Sequence, residues 1–355
     1  MINKQGKDQE QSLRGSSEGQ KDGYNRKPEM SSEGTDTACE IMGYTDYSGS
    51  LKSYFLQEGD KVAVISPSSL PEKGQVGATM DGLKQWGYSP VAGKYLICEQ
   101  RTLDNCLEDL NWALEDPTVK AIFCVRGGYG ASEVMDAMPL ERIAAAQKLL
   151  IGYSDISVYH SAWTSAGLPS IHASMSASFV DLPASCTVVE QQLLRGKIPA
   201  YKCAGSVYNR PGHAEGTLIG GNLSTLTTVL NTVYDCTRTG NTPILFLEDV
   251  GETMRHIHRY LTIMKHCGVF DRVSGIILGE WTEVPVDYDQ YDGKTRGGLF
   301  TSVADMSSRQ MFPDINVPVA FGFPAGHGKT NYPLLMGERM ELTVSNDCFT
   351  LEYRR

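Results

Sequence analysis

Residues 148–160 read Lys148-Leu149-Leu150-Ile151-Gly152-Tyr153-Ser154-Asp155-Ile156-Ser157-Val158-Tyr159-His160. An apolar run, a glycine turn and a second amphipathic run predict a buried strand at 148–151, a sharp bend and a helix at about 156–166. The same alternation continues on the N-terminal side. Strands are predicted at 61–65, 88–92 and 121–125, with helices near 75–86, at about 102–115 and after Ser132. Short β-rich runs separated by helical stretches imply βαβ units, and so a parallel sheet covered on both faces. Ligands of such α/β sheets sit outside the carboxyl ends of the strands. The turn after Ile151 and the glycine-rich turn after Val125 therefore share one edge.

On this pattern the chain of 355 residues divides into an α/β domain at 51–180, a connection at 181–213 and a second domain at 214–355. The connection is irregular and holds Pro183, Pro199 and Pro211. The second domain holds a Gly-Gly-Asn turn at 220–222 opening a helix, with strands expected at 244–248, 275–279 and 317–321 and helices at about 252–267 and 297–309. Two last strands, near 338–344 and 348–353, are joined by Ser345-Asn346-Asp347, a hairpin turn. Residues 1–50 read as a disordered extension, because the first forty contain no Val, Phe or Trp and cannot offset their ordering entropy by burial.

With 32 basic and 42 acidic side chains the formal net charge is −10, which argues against nucleic acid and anionic membranes as partners. No stretch approaches the roughly 20 apolar residues of a membrane span, and the N-terminus lacks a secretory h-region. Nine cysteines lie scattered without a C-x-x-C pair or zinc-finger spacing, so they read as reduced thiols and no metal is expected. Cys124, inside an apolar strand, reads as a small buried hydrophobe. The compartment expected is the cytoplasm.

Ser154 stands on the strand-to-helix bend, where a hydroxyl is lifted clear of the sheet and backbone N–H groups face a developing oxyanion. It is either a helix cap or a nucleophile; Ile156 occupies the place of the last glycine of G-x-S-x-G. Arg126-Gly127-Gly128-Tyr129-Gly130 follows a strand and precedes a helix. It is half of an oxyanion hole, a purely structural turn or, less fittingly by spacing, a dinucleotide loop. A nucleophilic serine needs a base, and the base an orienting acid. His327 lies in the glycine-rich segment 322–328 just after a strand, whereas His256 and His258 fall within a helical pattern. Glu248-Asp249 ends a strand, as a site acid or as a capping pair for the next helix. The order Ser154, Glu248, His327 is the serine, acid, histidine order of α/β-hydrolases.

These residues resemble the LD-carboxypeptidases, peptidase family S66, which include muramoyl-tetrapeptide carboxypeptidases and microcin C immunity peptidases. The resemblance runs from about 60 to 353. It rests on Val64-Ile65-Ser66-Pro67-Ser68-Ser69, the glycine turn 126–130, Ile151 to Asp155, Glu215 to Leu223, Leu247-Glu248-Asp249 and the late Gly326-His327. It implies a flavodoxin-like N-terminal domain carrying Ser154 and a C-terminal swivelling domain carrying Glu248 and His327. It also implies an oxyanion hole from the N–H groups of Gly128 and Asp155, a homodimer, no metal and no cofactor. The implied substrate is a small peptide or muropeptide, with the terminal D-alanine of a murein tetrapeptide leaving; the alternative is a nucleotide-linked toxin. Candidate substrate contacts are Arg126, Tyr129, Arg255, His256 and Trp281. Arg255 and His256 stand where many members have an aromatic-Arg pair. Trp281 is a packing residue or a surface for an aromatic ligand.

Overall fold

The computed structural model describes residues 39–47, 52–285, 290–291, 294–295 and 301–354. In chain order the strands and helices are β1 (Cys39–Asp46), β2 (Lys61–Ile65), α1 (Lys73–Gln85), β3 (Ser89–Ala92), α2 (Leu103–Glu115), β4 (Val119–Cys124), α3 (Ala131–Asp136), α4 (Leu140–Ala146), β5 (Leu149–Gly152) and α5 (Ser157–Ser165). Then come β6 (Ser170–His172), α6 (Ala184–Leu194), β7 (Lys197–Ala204), β8 (Gly212–Asn222), α7 (Leu223–Leu226), β9 (Ile244–Val250), α8 (Met254–His266) and β10 (Gly275–Thr282). The last are a two-residue pair, β11 (Gln290–Tyr291) and β12 (Lys294–Thr295), then α9 (Val303–Met306), β13 (Val319–Phe321), β14 (Leu334–Met336), β15 (Arg339–Val344) and β16 (Cys348–Tyr353).

The first sheet has the order β14-β6-β5-β4-β2-β3. Its five consecutive strands β2 to β6 run parallel, and the late strand β14 closes the edge antiparallel to β6. This is the flavodoxin-like order, in which the chain reverses direction across the sheet between the first and third strands. Here the reversal falls between β2 and β4, so the crevice opens between the loops 66–69 and 126–130, with Ser154 on the adjoining β5 turn. Strands such as Val62-Ala63-Val64-Ile65 are buried on both faces, which is why they read as unbroken apolar runs.

The second sheet has the order β1-β7-β16-β15-β8-β9-β10-β13, parallel from β8 to β13 and antiparallel on the other side. Strand β9 shows how its faces divide. Ile244 and Phe246 join one core while Leu245 and Leu247 join another beneath α8, as the two-residue period requires. Glu248 and Asp249 therefore leave the strand end on opposite faces.

Four expectations are corrected. Residues 39–46, assigned to the disordered extension, form β1, which pairs along β7; residues 1–38 and 48–51 lie outside the described residues. The connection 181–213 holds α6 and β7 and enters the second sheet. Pro183 sits at the N-cap of α6, where a missing N–H costs nothing, so it begins a helix rather than marking a linker. Cys39 and Cys203, directly opposite in the β1–β7 register, are joined in a disulfide across 164 residues of chain. Sequence spacing carries no trace of such a pair, and the case for a reducing compartment loses part of its premise. The helix expected at 297–309 is four residues, Val303–Met306, followed by a wider turn to Met311, with 296–300 outside the described residues. Among the described residues no helix is long and apolar enough to cross a membrane.

Alkylation of the protein unfolded in denaturant, without reductant, should label the seven free thiols, four of which are buried in the fold, and spare two. Cys203→Ser should lower the unfolding free energy by about 2–4 kcal/mol, read as a shift in urea midpoint. Nine labelled thiols would contradict the pairing.

Candidate active site

Ser154 has φ 65, a left-handed backbone in a residue with a side chain. Such a conformation costs on the order of 1–3 kcal/mol and persists only where the surroundings over-determine it. Here they do. The carbonyl of Gly152 accepts hydrogen bonds from Ala173 N at 3.0 Å and from His160 Nε2 at 2.9 Å. That acceptor puts the His160 proton on Nε2, and Nδ1 accepts from Ser170 Oγ at 2.8 Å. Burial pushes His160 down to about 4, so it stays neutral and holds the bend. From the other side Gly127 packs against the bend. A Cβ at Gly127 would come within 2.8 Å of Ser154 Cβ and 3.0 Å of its Oγ, so only glycine allows the loop this close. Neither Gly128 N–H nor Asp155 N–H has an acceptor among the described residues. Both donors are thus free, one on the residue after Ser154 and one on the residue after Gly127.

Glu248, at the end of β9, is fully buried, and its Oε2 accepts from His327 Nδ1 at 2.7 Å. The bond fixes the tautomer, leaving Nε2 of the imidazole, 16% exposed, as the proton acceptor. Burial lowers the His327 pKa, but the hydrogen bond to Glu248 and the charges of Glu248, Asp249 and Glu280 outweigh it, and the net shift is upward. Asp249, on the opposite face, accepts from Asn222 Nδ2 and Ser224 N, both at 2.9 Å. It caps the start of α7, while α8 is capped by Thr253; burial raises the Asp249 pKa to about 6. The two carboxylates left open by the sequence are thereby separated into a partner for histidine and a helix anchor.

The loop carrying His327 is tied by Asn331 to the sheet that carries Ser154. Its Oδ1 accepts from Gly326 N at 3.1 Å, and its Nδ2 donates to Ser174 Oγ at 3.0 Å just beyond β6. The Tyr153 ring, one residue before Ser154, lies 4.7 Å from the His327 ring between centroids. The elbow and the His327 ring therefore meet, although among the described residues no hydrogen bond joins Ser154 to His327. Catalytic hydrogen bonds are often long in unliganded enzymes and tighten when substrate binds.

Of the candidate substrate contacts, Arg126 spends a guanidinium nitrogen on Leu70 O at 2.9 Å. Tyr129 is 74% exposed, with its hydroxyl on Glu133 at 2.8 Å. Arg255 and His256 lie exposed on the first turn of α8, and His256 Nδ1 pairs with Glu252 at 2.8 Å. Trp281 is half-buried against the core under α8, which favours packing over ligand stacking. Tyr153, His160 and Asn331 were not foreseen as site residues. Tyr153 and His160 were in view within the quoted elbow segment, but nothing local signals that Asn331 reaches across the sheets.

Comparison with known proteins agrees with this architecture. Residues 62–173 match the LD-carboxypeptidase N-terminal domain and residues 215–342 the LD-carboxypeptidase C-terminal domain. The murein tetrapeptide carboxypeptidase of Pseudomonas aeruginosa is 30% identical over 285 residues, covering 76% of this chain and 89% of the relative. A muramoyltetrapeptide carboxypeptidase of Oxalobacter formigenes superposes with TM-score 0.69 at 24% identity, covering 83% of this chain and 99% of the other. An MccF-like protein of Bacillus anthracis superposes with TM-score 0.70 at 22% identity, covering 84% and 98%. At those identities the two structures speak for the fold.

A raised His327 pKa has a definite sign. The protonated imidazole stabilises the fold fully below the unfolded value of about 6.5, and that contribution is lost as pH rises through the folded pKa. A base must be neutral, so the acidic limb of kcat/KM should lie above about 6.5. Glu248→Gln should move the limb to lower pH and cut kcat by roughly 10²–10⁴-fold. A limb that stays in place would show that Glu248 does not govern the base.

Proposed function

The chain belongs to the LD-carboxypeptidase family, and from that premise we propose that it is a serine peptidase releasing the terminal D-alanine of murein tetrapeptides. The observation that carries the proposal is the Glu248–His327 pair set against the strained Ser154 elbow. A serine on a left-handed bend, two free N–H groups and an imidazole oriented by a buried carboxylate are the parts acyl transfer needs.

In this mechanism His327 Nε2 takes the proton from Ser154 Oγ as the oxygen attacks the carbonyl carbon of the scissile amide. Negative charge on the carbonyl oxygen is received by the N–H groups of Gly128 and Asp155, each donor contributing roughly 10²–10³ in rate. The imidazolium is stabilised by Glu248 and gives its proton to the departing amine as the C–N bond breaks. Water, deprotonated by the same imidazole, then hydrolyses the ester. No metal or cofactor takes part in this scheme.

A carboxypeptidase also recognises the free carboxylate of the leaving residue, and we assign this to the exposed first turn of α8 with Arg255 and His256. Arg126, Tyr129 and Trp281 remain candidates for contacts with the rest of the substrate. A homodimer and a cytoplasmic location belong to the same proposal. The seven free thiols favour that location, and the Cys39–Cys203 bridge opposes it.

Purified protein incubated with a murein tetrapeptide should yield tripeptide and free D-alanine by mass, and Ser154→Ala should slow release by at least about 10⁴-fold. Intact tetrapeptide alongside cleavage of an acyl-sulfamoyl adenylate would replace the muropeptide with a nucleotide-linked substrate. Arg255→Ala should raise KM for the tetrapeptide by about tenfold, the loss of one charge-assisted contact of about 1.4 kcal/mol, with little change in kcat.

A further inference from the structure

The segment Ser66-Pro67-Ser68-Ser69 after β2 has no part in the chemistry above, yet every one of its carbonyls is bonded. Arg101 donates to Ser66 O at 2.7 Å and to Ser68 O at 2.6 Å; the Tyr159 hydroxyl donates to Pro67 O at 2.7 Å; and Ser66 Oγ donates to Ser69 O at 2.8 Å. A loop whose backbone is satisfied in this way is a rigid block. Its remaining groups all turn toward the glycine loop and the elbow. Ser69 N donates to Gly127 O at 3.1 Å, and Ser69 Oγ accepts from Tyr129 N at 3.0 Å. Ser68 Oγ, buried with its residue 6% exposed, donates to Asp155 Oδ2, and the same oxygen accepts from Ala131 N at 2.9 Å.

These bonds bracket the two free N–H groups. Gly128 lies between Gly127, held by Ser69 through its carbonyl, and Tyr129, held by Ser69 through its N–H. Asp155 offers its own N–H to the site while its carboxylate grips Ser68 and the first residue of α3. The three loops at the topological switch point are thus one hydrogen-bonded unit, and the catalytic donors project from it.

We infer that Ser68, Ser69 and the Asp155 carboxylate are positioning residues that set the separation and aim of the Gly128 and Asp155 oxyanion donors, an inference that rests on the peptidase function proposed above. They touch no reacting atom. A displaced donor loses transition-state stabilisation while substrate binding in the ground state is unaffected, so the signature is a kcat effect.

The test compares Ser68→Ala with Ser68→Thr, and Asp155→Ala with Asp155→Asn, which keeps an oxygen acceptor. The alanine variants should lower kcat by about 10–100-fold with KM within about twofold, and leave the acidic limb of the pH profile, set by His327, in place. The conservative variants should recover most of the rate. Hydrogen–deuterium exchange over residues 126–132 should quicken in Ser68→Ala, a readout that needs no turnover. Wild-type kcat, a change confined to KM, or unchanged exchange over that loop would overturn the inference. Ser154→Ala run in parallel keeps the two questions apart: full turnover in that variant would sink the serine mechanism itself, and the exchange comparison would still decide the positioning role.

Discussion

A carboxylate with no solvent contact is the constraint around which the second half of the molecule is arranged. Removing such a charge from water costs several kcal/mol, recovered only through a well-placed partner. Glu248 finds one partner, His327, and its second oxygen has none among the described residues. The arrangement is therefore costly to assemble and costly to break. Gly326 must approach so closely that a Cβ there would stand 2.9 Å from Glu248 Oε2. Asn331 ties that loop to Ser174 beside the other sheet. The hydrogen bond to Glu248 and the nearby carboxylates of Asp249 and Glu280 raise the basicity of His327, whose ring lies against that of Tyr153 on the elbow.

Strain at Ser154 has the complementary place in the first half. The elbow holds its left-handed backbone because Gly152 O is doubly bonded and Gly127 closes over it. His160 and Glu248 hold the two halves through different contacts: His160 donates to the Gly152 carbonyl, and Glu248 accepts from the His327 imidazole. His160, on α5, bonds to β5 of the first sheet, Glu248 ends β9 of the second, and β14 brings the C-terminal half onto the edge of the first sheet, against β6. The site is accordingly made where the two sheets meet, at the carboxyl edge that the flavodoxin-like strand order leaves open.

Much of this is legible in the sequence because it is local. The runs Val62 to Ile65, Ala121 to Val125 and Leu149 to Ile151 are apolar for the single reason that they are covered on both sides, and the elbow follows from a glycine and a helix pattern. The division of labour between Glu248 and Asp249 needed the strand's register, which adjacent polar residues do not reveal. Strand β1 hid in a polar stretch because only alternate residues of an edge strand are covered. Its bond to Cys203, like the reach of Asn331 to Ser174, spans more than a hundred residues and leaves no spacing to read. Prolines 183 and 199 suggested a connection, but one begins a helix and the other sits in β7.

The central claim is that Ser154 carries the acyl group during turnover. The most direct measurement is rapid-quench mass spectrometry of the protein mixed with murein tetrapeptide, followed by peptide mapping. The account predicts a transient adduct of the tripeptide acyl group on the peptide containing Ser154. Turnover with no adduct on that peptide, or with the adduct on another residue, would contradict it.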